Sequence, residues 1–170
     1  MPAMTRPPAL GPRGEGWVVL QAILLAGLGV AGLLSLAGAG GFFGAAWFGP
    51  ARVATSVLGL GLAFVGANQV RRGARDLGAN LTPLPYPSAE GQLVESGIYA
   101  KVRHPIYGGI ILASAGWALL TAAPAALAVA AILVPFFWLK SSVEERWLEQ
   151  RLVGYDAYRG RTRRFIAWLG

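Results

Sequence analysis

The sequence predicts an all-α integral membrane protein with about four transmembrane helices, the last two folded as a C-terminal hairpin. Three observations carry that reading. Only 14% of the 170 residues are charged, against about 25% in an ordinary soluble domain, and the deficit is concentrated in three apolar blocks. The longest block is broken once, at Thr121-Ala122-Ala123-Pro124, where a hairpin would turn. Finally, 14 of the 15 basic residues fall in segments that a four-span path puts on one side.

The first block, Trp17 to Gly38, has 22 residues without a charge. About 20 helical residues cross a bilayer core, and a cleaved signal peptide has an apolar region of only about 7–15. The second block, Val53 to Val70, has 18 residues between Arg52 and Arg71. The third, His104 to Leu139, has 36 residues. Its halves are about 16–18 residues each, at the lower edge of spanning length, so full crossing and partial insertion both stay open. Between the first two blocks, Ala39 to Ala51 sets Phe42, Phe43, Trp47 and Phe48 among glycines, a composition suited to the interfacial aromatic belt. Its glycines lack G-x-G-x-x-G spacing and follow no strand, so they read as helix packing rather than a nucleotide loop.

Four spans put both termini on one face. Arg6 and Arg13 precede the first span. Arg71, Arg72, Arg75, Lys101 and Arg103 lie between the second and third, and seven more basic residues follow the fourth. Only Arg52 is opposite. Positive residues accumulate on the cytoplasmic side, so both termini are expected there, in a cell-membrane protein. The net charge of +7 then reflects topology and contact with anionic lipid headgroups, and no nucleic-acid-binding fold accompanies it. With no cysteine and one histidine, disulfides, thiolate ligands and a histidine-rich metal site are all excluded.

The second span runs on through Arg71, Arg72 and Arg75 to Gly78, a helix end with basic residues in its last turn. Pro83, Pro85 and Pro87 then force an extended arm. Unpaired backbone cannot lie in lipid, so the arm lies over the cytoplasmic face and returns through Gly91 to Ala100. Pro105 suits the first position of the third span, which puts His104 at its N-cap. After the fourth span, Ser141 to Val153 continues as an amphipathic helix, with Trp147, Leu148, Arg151 and Leu152 along one side. Gly154 breaks it, and a basic tail follows.

Two stretches carry chemistry. LVESGIYAKVRHPIYGG, from Leu93 to Gly109, precedes the hairpin, and VEERWLEQRLVGYDAYRGRTRR, from Val143 to Arg164, follows it. Together they resemble the isoprenylcysteine carboxyl methyltransferase and phospholipid methyltransferase superfamily over about residues 76–165. Val153 stands where that family often has Phe, and the proline many members carry after the isoleucine at Ile166 is absent.

The resemblance implies a membrane-embedded methyltransferase that uses S-adenosylmethionine on its cytoplasmic side. It implies that Leu93, Val94, Gly97, Tyr99, Arg103, His104, Pro105 and Tyr107 line the cofactor pocket, with Glu144 and Glu145 on the opposite wall. Glu145 and Arg151 are the expected catalytic residues, Arg151 by steering an acidic acceptor or else by binding a lipid phosphate. The acceptor would be lipophilic and arrive through the bilayer, an isoprenylcysteine carboxylate or a phospholipid amine among the candidates. Residues 1–16 then form a flexible tail, 17–75 a two-span scaffold, and 76–170 the methyltransferase core.

These residue types suit that chemistry. A carboxylate accepts hydrogen bonds from ribose hydroxyls or an ammonium, and His or Arg binds a carboxylate. Tyrosine faces attract a sulfonium, and Gly97 and Gly108 would let backbone approach a flat purine. Plainer readings compete. His104 could simply cap its helix. Glu144 could pair with Lys140 one turn earlier. Glu145 and Glu149, like charges four apart, point to an external partner for one of them. The arginines at 159, 161, 163 and 164 read as headgroup contacts, and Asn68 and Gln69 as helix glue. Two other functions fit part of the pattern: an NAD(P)H-dependent membrane reductase of the same superfamily, and a non-enzymatic protein whose basic face binds anionic lipid.

Overall fold

A computed structural model of the chain describes residues 10–38, 50–86 and 91–166. Its helices are α1 (Glu15–Leu36), α2 (Pro50–Leu77), α3 (Pro105–Thr121), α4 (Pro124–Arg151) and a short α5 (Tyr155–Arg161). Two 3-10 turns, Gly78–Asn80 and Gly97–Ala100, bracket the arm between α2 and α3. Among the described residues the only strand-like pairing is one parallel bridge between Val102 and Arg163. The aromatic loop of residues 39–49 and the first part of the N-terminal tail lie outside the described residues.

Three helices, α1, α2 and α4, are long and apolar enough to cross a membrane. The third of the four expected spans is shorter: α3 has 17 residues, about 26 Å at 1.5 Å per residue. α4 has 28 residues, because the expected amphipathic helix is its direct continuation. The hairpin turn falls where the sequence breaks. Ala122 adopts a left-handed conformation (φ 49°) and Pro124 opens α4. α2 ends at Leu77, and Gly78 (φ 54°) supplies the left-handed residue that stops it.

α2 and α3 form the tightest pair, through small residues seven apart. Gly59, Gly66 and Gly73 lie on one face of α2, since seven residues make about two turns. A Cβ on Gly66 would lie 2.5 Å from the Gly109 carbonyl oxygen, and one on Gly116 would lie 2.5 Å from the Ala63 nitrogen. The two backbones are therefore in contact, the packing that lipid-exposed helices use where the hydrophobic effect offers nothing between them. α1 packs elsewhere. Trp17 meets Phe136 and Phe137 of α4, and Leu28 meets Ala118, Ala126 and Ala130. Away from these contacts α1 and α2 expose Ile23, Leu33, Val57, Leu60 and Phe64, the surface expected against hydrocarbon.

Arg52, the lone basic residue at the far end, donates to the Leu119 carbonyl at 2.9 Å and to the Leu120 carbonyl. It closes the C-terminus of α3, whose last carbonyls have no helical partner. The Ser35 hydroxyl donates to the Thr121 carbonyl at 2.9 Å.

Gly66→Leu should separate α2 from α3. The expected loss is about 1–3 kcal/mol, typical of overpacking, and it should appear as a lower thermal midpoint in detergent micelles. The same change at Gly61, which faces open space, should leave the midpoint nearly unchanged.

Candidate functional site

The N-terminal end of α3 is built by long-range pins. Pro105 at its first position needs no amide hydrogen. Gln69 of α2 donates to the Pro105 carbonyl at 2.9 Å and to the Phe165 carbonyl at 2.8 Å. It joins two helices to the C-terminal tail, which is the glue role expected of it. The tail crosses beside the arm. Arg103 N–H donates to the Arg163 carbonyl, Arg163 N–H to the Lys101 carbonyl and His104 N–H to the Arg164 carbonyl, each at 2.9 Å. Gly108 must be glycine here because the Phe165 carbonyl lies against it, leaving no room for a Cβ. Gly97 (φ 59°) turns against the Asp76 carboxylate, which accepts from the Ile98 N–H at 2.9 Å. Both glycines thus meet parts of this chain, where the sequence suggested a purine.

Glu145 anchors the resulting cluster. Its Oε1 accepts from Arg103 Nε at 2.6 Å and contacts His104 Nε2 at 2.9 Å, and its Oε2 accepts from Arg164 Nη2 at 2.8 Å. The glutamate is 3% exposed. A carboxylate acceptor requires the proton on His104 Nε2. His104 occupies the N-cap position, but its side chain makes no capping bond; it is committed to Glu145 instead. Its ring lies parallel to the Tyr107 ring, with centroids 5.4 Å apart.

Beside this cluster is a cavity of about 390 Å³, within the range of small-molecule sites, about 300–1,000 Å³. Residues 140, 144 and 148 of α4 and Leu152 just past its end form one wall at four-residue spacing, with Ile106, Tyr107 and Ile110 of α3 facing them. The arm contributes residues 80–84 and 91–94, while Tyr99, Arg103, His104, Tyr155 and Tyr158 close the basic end. α1 reaches in with Gln21 and α2 with Leu77.

Of the residues singled out from sequence, Leu93, Val94, Tyr99, Arg103, His104, Tyr107 and Glu144 line this cavity. Gly97, Pro105, Glu145 and Arg151 do not. Glu145 is behind the wall, spent on its three partners. Six residues separate Arg151 from Glu145, a rotation of about 240°, so the two do not share a face. The Arg151 guanidinium lies over the Tyr86 ring, 4.9 Å from its centroid. Glu144 and Lys140 do not form a contact pair. The Glu144 Oε2 accepts from the Tyr107 hydroxyl at 2.8 Å, and Lys140 bonds elsewhere. Glu149, the other like charge, is paired with Arg159.

Sequence reasoning missed several lining groups: Gln21, Lys140, Tyr155 and Tyr158. The four-residue stripe running from Lys140 through Glu144 could have signalled the second of these. Some of the tail arginines expected at headgroups make ion pairs within the chain. Arg164 is 17% exposed at its side chain and clamps Glu145, and Arg161 pairs with Glu95 at 2.7 Å.

Two polar groups in the wall remain unspent. The Tyr155 hydroxyl is buried with no hydrogen-bond partner among the described residues, and Tyr155 as a whole is 2% exposed. A buried hydroxyl without a partner costs free energy. The second oxygen of Glu144 likewise has no protein partner among the described residues. Burial raises the Tyr99 and Tyr155 phenols well above their usual range and pushes Tyr158 up to about 12. All three therefore stay neutral at physiological pH. Burial also lowers the Arg164 guanidinium from its ordinary value.

The roles of the two glutamates should separate in a stability measurement. Glu145→Ala leaves two partly buried guanidinium groups without their carboxylate and should cost up to about 3–5 kcal/mol, read as a large fall in thermal midpoint. Glu144→Ala should cost far less. Equal losses would contradict the division of roles.

Comparison with known proteins bears on this arrangement. Residues 54–152 match the family model for phospholipid methyltransferase, more than half of the chain. No curated protein sequence matches it.

Proposed function

The chain belongs to the phospholipid methyltransferase family, and from that premise we propose that it transfers a methyl group from S-adenosylmethionine to a lipophilic acceptor reached from the bilayer. One observation carries the reading: an unpartnered Tyr155 hydroxyl and an unspent Glu144 oxygen border one cavity, which the apolar residues of a membrane helix also line. A ligand with ribose hydroxyls, an ammonium and a flat base fits that donor and acceptor set. When bound, it supplies a methyl group on a positively charged sulfur.

The residues divide the work by position. Glu144 accepts hydrogen bonds from the ligand's hydroxyls or ammonium, and the Tyr107 hydroxyl holds the carboxylate in place for that. Tyr155 offers its hydroxyl to the same ligand. The face of Tyr99 holds cationic charge, a contact worth about 0.5–2 kcal/mol, while both faces of Tyr107 are covered by His104 and Phe137. His104 is a wall whose tautomer and ring angle are set by Glu145. Leu93 and Val94 present the arm's backbone, while Leu148 and Leu152 exclude water. Gly97, Pro105, Glu145, Arg103 and Arg164 are positioning residues in this scheme, and Arg151 has no part in it.

Methyl transfer is an in-line displacement, and holding donor and acceptor in line can contribute about 7–11 kcal/mol. A carboxylate acceptor needs no general base, and an amine needs only to have lost its proton. The absence of a catalytic dyad among the lining residues is therefore consistent with the reaction. The acceptor is proposed to arrive where Gln21 of α1, Leu77 of α2, and Ile106 and Ile110 of α3 border the cavity, since no extensive contact joins α1 to α2 among the described residues. The basic end is assigned to the cytoplasm with both termini, residues 76–170 to the catalytic core, and Arg71, Arg72 and Arg163 to anionic headgroups.

Calorimetric titration with S-adenosylhomocysteine tests the proposal. The protein should bind it. Tyr155→Phe and Glu144→Gln should each weaken binding about 3- to 10-fold, the worth of one hydrogen bond at about 0.5–1.5 kcal/mol, with unchanged thermal midpoints. Failure of the unaltered protein to bind would remove the methyltransferase reading.

A further inference from the structure

One wall of the cavity is not a membrane helix. Twenty residues run from Gly78 to Gly97, and connections longer than about 12–15 residues are uncommon in compact domains unless they serve a site. Residues 80–84 and 91–94 of this arm border the cavity. The arm leaves and returns at one place, because Asp76 Oδ2 accepts from the Ile98 N–H at 2.9 Å. A glycine with positive φ stands at each end, Gly78 at 54° and Gly97 at 59°. Glycine turns through that region without a Cβ penalty, and a few such positions absorb the rotation when a loop swings. Between them the arm is stiff. Pro83 and Pro85 fix two of its φ angles, and Asn80 Oδ1 accepts from the Gln92 N–H at 3.0 Å, coupling the outgoing limb to the returning one.

Much of what holds the arm down comes from α1. Trp17 and Gln21 share one face of that helix, and Gly14 precedes Trp17 by one turn. Trp17 packs on Phe136 of α4, with ring centroids 5.5 Å apart, and this fixes the face. The Pro85 ring is fully buried and lies on Gly14, where a Cβ would come within 2.9 Å of it. Lys140, which also feels the Glu144 carboxylate one turn on, donates to Gln21 Oε1 at 2.6 Å and to the Pro83 carbonyl at 3.3 Å. Gln21 thus steadies the lysine that grips the arm. Tyr86 adds an edge contact to Trp147, with centroids 5.3 Å apart. The return limb has Glu95 paired with Arg161 in the open, a contact worth little. These pins are single and dispersed, whereas the neighbouring walls are fastened by backbone contact between α2 and α3 and by the Glu145 cluster.

We infer that the arm is a lid over the nucleotide end of the cavity, hinged at Gly78 and Gly97, and that Gly14 and Gln21 are positioning residues that hold it shut. The inference rests on the methyl-transfer reading. A polar nucleotide enters from water, and the arm is the wall that can yield to admit it. Gly14 and Gln21 lie outside residues 54–152 that match the family, so this chain's first helix sets how long the nucleotide stays.

The chain has no cysteine, which permits a reversible lock. A Cβ at Gly14 would lie 3.4 Å from Pro85 Cβ, close to disulfide spacing of about 3.5–4.5 Å. Gly14→Cys with Pro85→Cys, in the full chain in phosphatidylcholine nanodiscs, should therefore tie the lid to α1 on oxidation. Release of tritiated S-adenosylhomocysteine into excess unlabelled ligand should slow at least tenfold in the oxidised form. Ligand added after oxidation should enter at least tenfold more slowly. Reduction should return both rates to within about threefold of the unaltered protein, which also shows that the variant is folded. Gln21→Leu should speed release about 3- to 10-fold with less than a threefold change in equilibrium affinity, because entry speeds too, and Gln21→Glu, which keeps the acceptor, should stay within about threefold. Equal exchange in the oxidised and reduced forms overturns the lid. An unaltered release rate in Gln21→Leu, or a loss of affinity without faster entry, overturns the role of α1. Failure of the unaltered protein to bind S-adenosylhomocysteine removes the parent reading and this inference with it, whereas binding with exchange indifferent to the lock removes this inference alone.

Discussion

A single buried carboxylate organises the basic end of this molecule. Glu145, on α4, draws Arg103 from the arm, His104 from the start of α3 and Arg164 from the tail onto its two oxygens. Removing a carboxylate from water is unfavourable. Two guanidinium groups and an imidazole N–H offset that cost with charge-assisted hydrogen bonds. Neither the arm nor the tail is a long helix that could hold its own place. The ion cluster is what turns an arm, a helix start and a tail into one surface.

That surface explains how a small membrane bundle can hold a cavity of about 390 Å³. The hydrocarbon-facing parts pack by backbone contact, Gly66 against Gly109 and Gly59 against Gly116, and such packing leaves little space. The cavity opens where the glycine stripe ends and bulky aromatic and charged side chains take over. Tyr107 marks the transition. Its ring stacks between His104 and Phe137, with centroids 5.4 Å and 4.8 Å away, while its hydroxyl reaches Glu144. The same side chain belongs to the core and to the site.

Much of the architecture could be read from the chain, because it follows from local rules. Apolar length set the helices, Pro105 and Pro124 set two starts, and Gly78 set one stop, whereas Gly154, expected to break the last helix, is the N-cap of α5 and α4 ends earlier, at Arg151. Six of the 23 lining residues, Leu93, Val94, Tyr99, Arg103, His104 and Tyr107, were legible through the motif around His104. What could not be read depended on pairing across the chain. The register Val102 against Arg163 and the clamp from Arg164 to Glu145 join residues far apart in sequence, and no local pattern announces them. The exchange of roles between Glu144 and Glu145 has the same origin. Adjacent residues on a helix point about 100° apart, and only the position of the tail decides which one is covered. Gln21 was illegible for a related reason: a single polar residue within an apolar span has no periodicity to reveal it. The missed helix α5 is seven residues long and sits in a strongly basic stretch, where charge obscured the spacing of Tyr155 and Tyr158.

The threading of the tail has a consequence for biogenesis. Arg163, Arg164 and Phe165 are made after all the membrane helices, yet they supply the groove floor beside Gly108 and one of the two guanidinium partners of the central carboxylate. A nascent chain already inserted up to α4 therefore has a bilayer-embedded bundle with an unfinished basin at its end. Assembly of the basic end waits on residues that follow the last membrane helix, so the order of synthesis sets the order in which the surface is completed.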